Sequence, residues 1–236
     1  MLRGISAVLA LALVSAQAAR AAPSVEDALA SVRFVAYTPR GFDPGAGGPP
    51  PQRAALRADL ALLRGHFDGL VTYSCGNGLD ALPRLAREAG FRAVVLGVWR
   101  PADPVELGRA IAAARAEPGV VVALALGNEG LFFHRYDAAA LRAAFARARR
   151  ELPGLALATS EPFSLYLDAA QAESLPRQDL LLPNVHPVDQ PWFGSLPPQA
   201  SVDFVAEVVA KREREAHWGM FDADGRPKPV VKELPQ

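Results

Sequence analysis

The sequence is short of cysteine, has no excess charge of either sign and contains no apolar run long enough to span a membrane. Its one cysteine, Cys75, excludes an intramolecular disulfide, and no pair of C-x-x-C motifs indicates a zinc site. The 25 Lys and Arg residues balance the 25 Asp and Glu residues, so no basic field predicts a nucleic acid partner. Apolar residues make up 50% of the 236 positions, enough for a substantial core. A disordered chain, a coiled coil and a collagen-like fibre are therefore excluded.

The first residues have the pattern of a secretory signal peptide. Arg3 precedes the apolar run 5–14, and A-x-A sites follow at 16–18 and 19–21. The run is too short for a membrane span, and no later run approaches about 18 apolar residues. The pattern predicts that residues 1–21 are removed and that a domain of residues 22–236 is periplasmic or extracellular, with no membrane span. An uncleaved anchor is the alternative for the same segment.

Short apolar segments rich in β-branched residues alternate with helix-like segments along the rest of the chain. Strands are predicted at 33–37, 69–73, 92–99, 120–126, 155–159 and 180–185, and helices at 51–63, 79–89, 104–116, 138–150, 164–172 and 201–212. Each strand is nearly unbroken, which is typical of strands buried on both faces of a parallel sheet. Pro183 counts against a central position for the last strand.

Six alternating strand–helix units predict an α/β fold, either a doubly wound open sheet or a (β/α)8 barrel of TIM type. No G-x-G-x-x-G follows the first strand and no P-loop is present, so no nucleotide cofactor is predicted. Polar and aromatic residues instead follow each strand, where a barrel places its active site. These strand-end residues are Tyr37, Tyr73, Trp99, Asn128, Glu129, Ser160, Glu161, Asn184 and His186. Their distribution favours the barrel.

The pair Asn128-Glu129, at the end of the fourth strand, is the first candidate for catalysis. A carboxyl at this position, walled by apolar and aromatic side chains, is suited to protonating a leaving oxygen. Many barrel glycosidases keep their general acid at this position, and in such a site Asn128 could hydrogen-bond a sugar 2-hydroxyl. The alternative is a structural role, in which both residues cap the following helix.

Five ordered motifs resemble family 17 of the glycoside hydrolases, the β-1,3-glucanases and glucan transglycosylases. They lie at 71–99 (VTYSCGNGLDALPRLAREAGFRAVVLGVW), 125–130 (ALGNEG), 158–167 (ATSEPFSLYL), 181–193 (LLPNVHPVDQPWF) and 217–229 (HWGMFDADGRPKP). The resemblance covers nearly all of the predicted mature chain. It implies a (β/α)8 barrel, a β-glucan substrate and a retaining mechanism with Glu129 as the acid/base.

One part of the family pattern is missing. The resemblance implies a nucleophile, a Glu in a K-E-x-G-x-P motif on the seventh strand, well before the closing W-G-x-F motif. Here the sixth predicted helix runs through 211–214 directly into that closing motif, so about six units and an incomplete barrel are expected. Glu233 follows the closing motif and is interpreted as part of a closing helix or tail.

Glu161 is the first candidate to replace the missing nucleophile, and Asp189 is the second. Neighbouring strands lie about 5 Å apart, so Glu129 and Glu161 are within range of either a retaining or an inverting pair. The resemblance implies that the position of Glu161 lines the substrate subsites instead. Two alternatives to an active enzyme stay open: a carbohydrate-binding pseudoenzyme, and a deletion product whose open barrel edges promote self-association.

Aromatic residues and one histidine are predicted to bind the sugar, because sugar rings stack on aromatic faces. The predicted substrate-binding residues are Tyr37, Tyr73, Asn128, His186, Trp192 and Trp218. For each aromatic ring the alternative is ordinary core packing. His186 has no partner at metal-ligand spacing, so no metal is predicted. Phe132, Phe133 and Tyr136 are expected to pack the loop after Glu129, and Cys75 is expected to be a buried thiol.

Overall fold

The computed structural model describes residues 23–40, 42 and 49–214. In these ranges helices and parallel strands alternate. The elements in chain order are α1 (Val25–Ser31), β1 (Phe34–Tyr37), α2 (Arg53–Arg64), β2 (Gly69–Thr72), α3 (Leu82–Glu88), β3 (Ala93–Val98), α4 (Pro104–Ala116), β4 (Val121–Asn128), α5 (Ala138–Glu151), β5 (Ala156–Ser160), α6 (Phe163–Leu167), α7 (Ala169–Ala172) and α8 (Gln199–Arg214). The predicted signal peptide, Trp218 and the closing motif at 217–229 lie outside the described residues.

The five strands form one parallel sheet in the order β1-β2-β3-β4-β5. A consecutive order distinguishes a barrel-type sheet from a doubly wound sheet, in which the strand order reverses at a switch point. Residues of α2, α3, α4 and α5 pack in one core against the same face of the sheet, as right-handed crossovers between consecutive parallel strands produce. The predicted α/β class and the incomplete barrel are therefore confirmed.

The two faces of the sheet carry side chains of different size. On the helix side, Leu70, Leu96 and Leu124 pack with residues of the helices, such as Leu60 and Leu141, in the larger core. The inner face is lined mostly by small residues, which are Ala93, Val95, Val122, Ala123, Ala125, Ala156 and Ala158. Small side chains allow the sheet to curve tightly around a narrow interior, as in a barrel.

Helix α1, which the sequence did not predict, covers part of this inner face. Ser24 caps it by accepting a hydrogen bond of 3.0 Å from the N–H of Asp27. Ala28 is fully buried and, with Val32, joins the inner cluster of the sheet. The helix is only seven residues long, less than two full turns, so its periodicity gave no clear signal.

The predicted sixth strand at 180–185 is wrong, although the segment runs beside β5. Its only strand-type pairing in the described residues is one parallel bridge between Pro162 and Asn184. Pro183 has no N–H to donate, and the N–H of Thr159 in β5 donates to the side chain of Gln178 at 3.0 Å rather than to a carbonyl of a partner strand. The described sheet therefore ends at β5.

Candidate active site

Glu129 follows β4 in an unusual backbone conformation. Its φ is 54°, in the left-handed region that residues other than glycine seldom adopt, and Gly127 two residues earlier has a φ of 91°. The N–H of Glu129 donates to the carbonyl of Ser160 at the end of β5, with a distance of 2.6 Å. The ring of Tyr136 packs so closely that a Cβ on Gly127 would lie 1.8 Å from its hydroxyl. This turn directs the Glu129 side chain toward the strand-end face.

Two side chains from the segment after β5 hold the Glu129 carboxyl. Its Oε1 accepts a hydrogen bond of 2.9 Å from Nδ2 of Asn184 and lies 3.5 Å from Nε2 of His186. The same Asn184 amide donates to Oδ1 of Asn128 at 3.1 Å, while its Oδ1 accepts from the hydroxyl of Ser160 at 2.8 Å. The structure thus brings the predicted residues Asn128, Glu129 and His186 together.

Asn184 and Ser160 were predicted to lie at strand ends, but the sequence indicated no role for them. Their contribution depends on how closely the segment containing Asn184 approaches β5, and the apolar pattern does not reveal this. A polar residue directly after a predicted strand was the available signal.

A cavity of about 170 Å³ opens beside this cluster at the inner face of the sheet. Its lining residues come from all five strands and the segment after β5, and are Ala36, Val71, Thr72, Tyr73, Gly97, Ala125, Gly127, Asn128, Ser160, Leu182, Pro183 and Asn184. The predicted binding residue Tyr73 belongs to this lining. Among the described residues, the lining contains no Asp or Glu side chain, and Glu129 follows the lining residue Asn128 directly.

Tyr37 is not brought to the cavity. Successive side chains of a strand point to opposite faces, and in β1 Ala36 lines the cavity while Tyr37 is buried in the helix-side core. Its hydroxyl donates to Asp59 of α2 at 2.9 Å. Burial and this carboxylate raise the pKa of Tyr37 well above its ordinary value. The geometry matches the core-packing alternative for this residue.

Trp192 also lies in a different cluster. Its ring meets Phe204 of α8 edge to face with centroids 5.4 Å apart, and Phe204 contacts Phe163 of α6 at the same distance. Trp99, in contrast, lies near the site: the guanidinium of Arg135 stacks 4.0 Å from its ring centroid and donates to the backbone carbonyl of Asn128. Trp99 and Arg135 therefore form a wall next to the cluster.

Glu161 is fully buried and is not among the residues that line the cavity. Its two carboxyl oxygens accept hydrogen bonds from the N–H groups of Leu131 at 3.1 Å and Phe132 at 3.3 Å, in the loop that follows Glu129. Burial raises its pKa, against the opposing effect of these N–H groups. Asp189, the second candidate, lies exposed in a short 3₁₀ helix, Pro187–Asp189.

The loop after Glu129 packs differently from the prediction. Tyr136 is buried as expected, but Phe132 and Phe133 are 50% and 58% exposed. Their rings meet edge to face with centroids 5.0 Å apart. Exposed aromatic rings near a polar cluster are a surface on which a sugar ring can stack.

A second buried carboxylate, Glu106 in α4, organises the neighbouring strand ends. It accepts hydrogen bonds from the hydroxyl of Ser74 at 2.7 Å and from the N–H groups of Cys75 at 3.1 Å, Trp99 at 2.9 Å and Arg100 at 3.1 Å. This residue ties the ends of β2 and β3 together and was missed by the sequence analysis. Burial raises the pKa of the Cys75 thiol well above its ordinary value, consistent with the predicted buried thiol.

Within the described ranges, no helix combines the length and apolar character that crossing a bilayer requires. The same residues do not group three or more His, Cys, Asp or Glu side chains closely enough to hold a metal ion.

Comparison with solved structures identifies the fold. The chain is similar to an active-site mutant of Rhizomucor miehei β-1,3-glucanosyltransferase in complex with laminaritriose, with a TM-score of 0.55 and 15% identity over 76% of this chain and 65% of that one. It is also similar to an endo-laminarinase from Formosa Hel1_33_131, with a TM-score of 0.56 and 18% identity over 89% of this chain and 64% of that one. No protein-family model and no curated protein matches the sequence.

These similarities establish a shared fold. The chain is also similar to a glycoside hydrolase family 17 β-1,3-glucanosyltransferase from Rhizomucor miehei, with a TM-score of 0.54 and 15% identity over 76% of this chain and 65% of that one. The chain spans just under two thirds of the length of each of these structures. It therefore has the barrel-type fold seen in these proteins, and its activity has to be argued from its own site.

Proposed function

We propose that this chain is a secreted glycoside hydrolase-like protein that binds β-1,3-glucan and uses Glu129 as a general acid/base. The observation that carries the proposal is the position of the Glu129 carboxyl. It lies at the carboxyl end of β4, held by Asn184 and His186 beside a cavity open to the strand-end face. The similar solved structures are a β-1,3-glucanosyltransferase in complex with laminaritriose and an endo-laminarinase, which supports this substrate class.

The chemistry proposed for Glu129 is protonation of the glycosidic oxygen as its bond to the sugar breaks. Asn184 holds the carboxyl in one orientation, and Asn128 and Ser160 supply polar groups for sugar hydroxyls. A retaining mechanism also needs a second carboxyl about 5–5.5 Å away. The described cavity lining offers none, and Glu161 is turned into the loop after Glu129. This favours a carbohydrate-binding pseudoenzyme as the second candidate function.

Product release from β-1,3-gluco-oligosaccharides, measured together with oligosaccharide affinity, separates the two candidates. In the enzyme, Glu129→Gln is expected to lower turnover on the order of 100-fold or more while affinity changes little, because the amide cannot donate the required proton. Glu173→Gln, on an exposed position, is the matched control and should leave both quantities unchanged.

Affinity without turnover in the folded wild type would establish the binding protein instead. A folded chain that neither binds nor cleaves these oligosaccharides would exclude both candidates.

We also propose export, because residues 1–21 have the signal-peptide pattern. Expression with export and determination of the N-terminus should yield a chain that begins at residue 19 or 22. An intact Met1 on the exported protein would instead indicate the uncleaved anchor.

A further inference from the structure

The side chain of Glu161 has no direct part in the proposed proton transfer, yet it is the most completely enclosed carboxylate near Glu129. It has no exposed surface. Its oxygens accept from the N–H groups of Leu131 and Phe132, two and three residues after Glu129. A buried carboxylate is stabilised only when such donors replace the water that it has lost.

The backbone carbonyls of Ser160 and Glu161 bind both Glu129 and Asn184, the residue whose side chain donates to the Glu129 carboxyl. The carbonyl of Ser160 accepts from the N–H of Glu129 at 2.6 Å, and the carbonyl of Glu161 accepts from the N–H of Asn184 at 2.8 Å. Residues 160–161 therefore connect Glu129 to the amide that holds its carboxyl.

The conformation of Glu129 needs support of this kind. A left-handed conformation is unfavourable for a residue other than glycine and persists only where surrounding contacts enforce it. The loop closes on itself as well, since the N–H of Phe133 donates to the carbonyl of Glu129 at 3.0 Å and that of Arg135 to Gly130 at 2.8 Å. The Glu161 carboxylate binds the middle of this loop, at the N–H groups of Leu131 and Phe132.

We propose that Glu161 is a positioning residue whose carboxylate fixes the turn at 130–132 and thereby orients Glu129 toward Asn184 and His186. It touches no substrate and acts only through Glu129. The catalytic part of this inference rests on the proposed function, but the orientation of Glu129 does not require turnover. The two ideas can therefore fail separately.

The test uses the side-chain amide resonance of Asn184, because that group donates directly to Glu129. Glu129→Gln changes the acceptor of this amide, and the chemical-shift change that it causes for Asn184 in a ¹H–¹⁵N spectrum is the reference displacement. Glu161→Gln keeps the size of the side chain but places an amide NH₂ against one of the two N–H donors. It is expected to move the Asn184 resonance by more than half of the reference displacement. Where the wild type turns over, kcat should fall about 10-fold to 100-fold with little change in KM.

The matched control is Glu106→Gln, which alters another buried carboxylate that binds backbone N–H groups, at β2 and β3. It should destabilise the protein and leave the Asn184 resonance in place. An unchanged resonance in folded Glu161→Gln would overturn the proposal, whether or not the protein is an enzyme. If the wild type shows no turnover, the proposed activity is excluded, but the proposed positioning of Glu129 by Glu161 is not.

If Glu161→Gln does not fold, Glu161→Asp, which retains the charge, serves for the same comparison. Failure of both variants to fold, next to a folded Glu106→Gln, would assign Glu161 to the stability of the whole domain and overturn a role confined to the turn.

Discussion

Among individual residues, Glu161 gives the stability of the protein a distinctive dependence on pH. Burial raises its pKa above the ordinary value for glutamate, although the N–H groups of Leu131, Phe132 and Gly130 and the charge of Arg135 act in the opposite direction. The native state therefore keeps this proton to a higher pH than the unfolded chain does. By linkage, the free energy of unfolding decreases as pH rises from about 4.5 through the raised pKa.

Urea unfolding of wild type and Glu161→Gln over a series of pH values isolates this contribution. The wild type should lose stability relative to the variant as pH rises in that window. Asp68, Glu88, Glu151 and Asp168 have lowered pKa values, so their contributions are lost at lower pH and do not mask the effect. Parallel curves for the two proteins would contradict the prediction.

Phe133 offers a second test among single residues. Its ring is 58% exposed in the loop after Glu129, so removing it should hardly change the free energy of unfolding. If the ring stacks on a sugar, Phe133→Ala should weaken oligosaccharide binding roughly 2-fold to 10-fold, as measured by calorimetry. Leu62→Ala, at a 72% exposed position of α2, is the control and should bind like wild type. Equal affinities for all three proteins would exclude Phe133 from the binding surface.

Among the secondary-structure elements, β3 depends on a glycine near its carboxyl end, Gly97. A Cβ on Gly97 would lie 2.0 Å from the backbone carbonyl oxygen of Thr72 in β2, and backbone atoms of a paired strand have little freedom to move away. Gly97→Ala is therefore expected to lower the free energy of unfolding by about 3 kcal/mol or to prevent folding.

Gly108, in helix α4, is the matched control for Gly97. A Cβ there would lie 3.4 Å from the mobile end of Arg147, and alanine favours the helix. Gly108→Ala should raise the free energy of unfolding by about 0.5–1 kcal/mol. Changes of the same sign in the two variants, measured by urea unfolding, would contradict this interpretation.

The strands and most helices were predictable because each has a strong local pattern. Each of the five observed strands overlaps a predicted apolar run to within two residues at either end, and α4 has the predicted bounds of 104–116. The predicted helix at 164–172 is divided into α6 and α7, since Asp168 leaves the helical conformation. The prediction of a sixth strand was wrong because an apolar run does not show whether its backbone N–H and C=O groups pair with a neighbouring strand.

The site was predictable only in part. Asn128, Glu129 and His186 follow predicted strands and do meet. The orientation of Glu161 was not predictable, because the register of β4 and β5 shifts between Ala125 and Asn128 and Glu129 then turns left-handed. Simple alternation of side chains along a strand does not hold beyond such an irregularity.

For the domain taken as a whole, the described sheet has two edges. Within residues 23–40, 42 and 49–214, β1 and β5 each pair with one neighbouring strand. The outer side of β5 is bound by Gln178 and Asp179, whereas the outer side of β1 has no strand partner in these ranges. Unpaired strand edges favour association with another chain. We therefore predict that the mass measured by sedimentation velocity increases with protein concentration.

Ala36→Lys tests this prediction at β1, where Ala36 is exposed at the rim of the cavity, because a charge on an edge strand opposes pairing. The measured quantity is the mass alone, since the same change also alters the cavity. Ala61→Lys, on the exposed side of α2, adds the same charge elsewhere and is the control. Association should weaken in the first variant only. A monomeric mass that does not change with concentration would contradict the prediction.

The left-handed backbone at Glu129 creates an evolutionary conflict between stability and chemistry. Glycine, asparagine or aspartate would adopt this conformation more readily, so selection for a stable fold alone favours losing the glutamate. Only selection for the chemistry of its side chain opposes that drift. Sequences of close relatives therefore test the proposed role of Glu129. Glutamate retained at this position would support the proposed acid chemistry, and its replacement by glycine or asparagine would count against it.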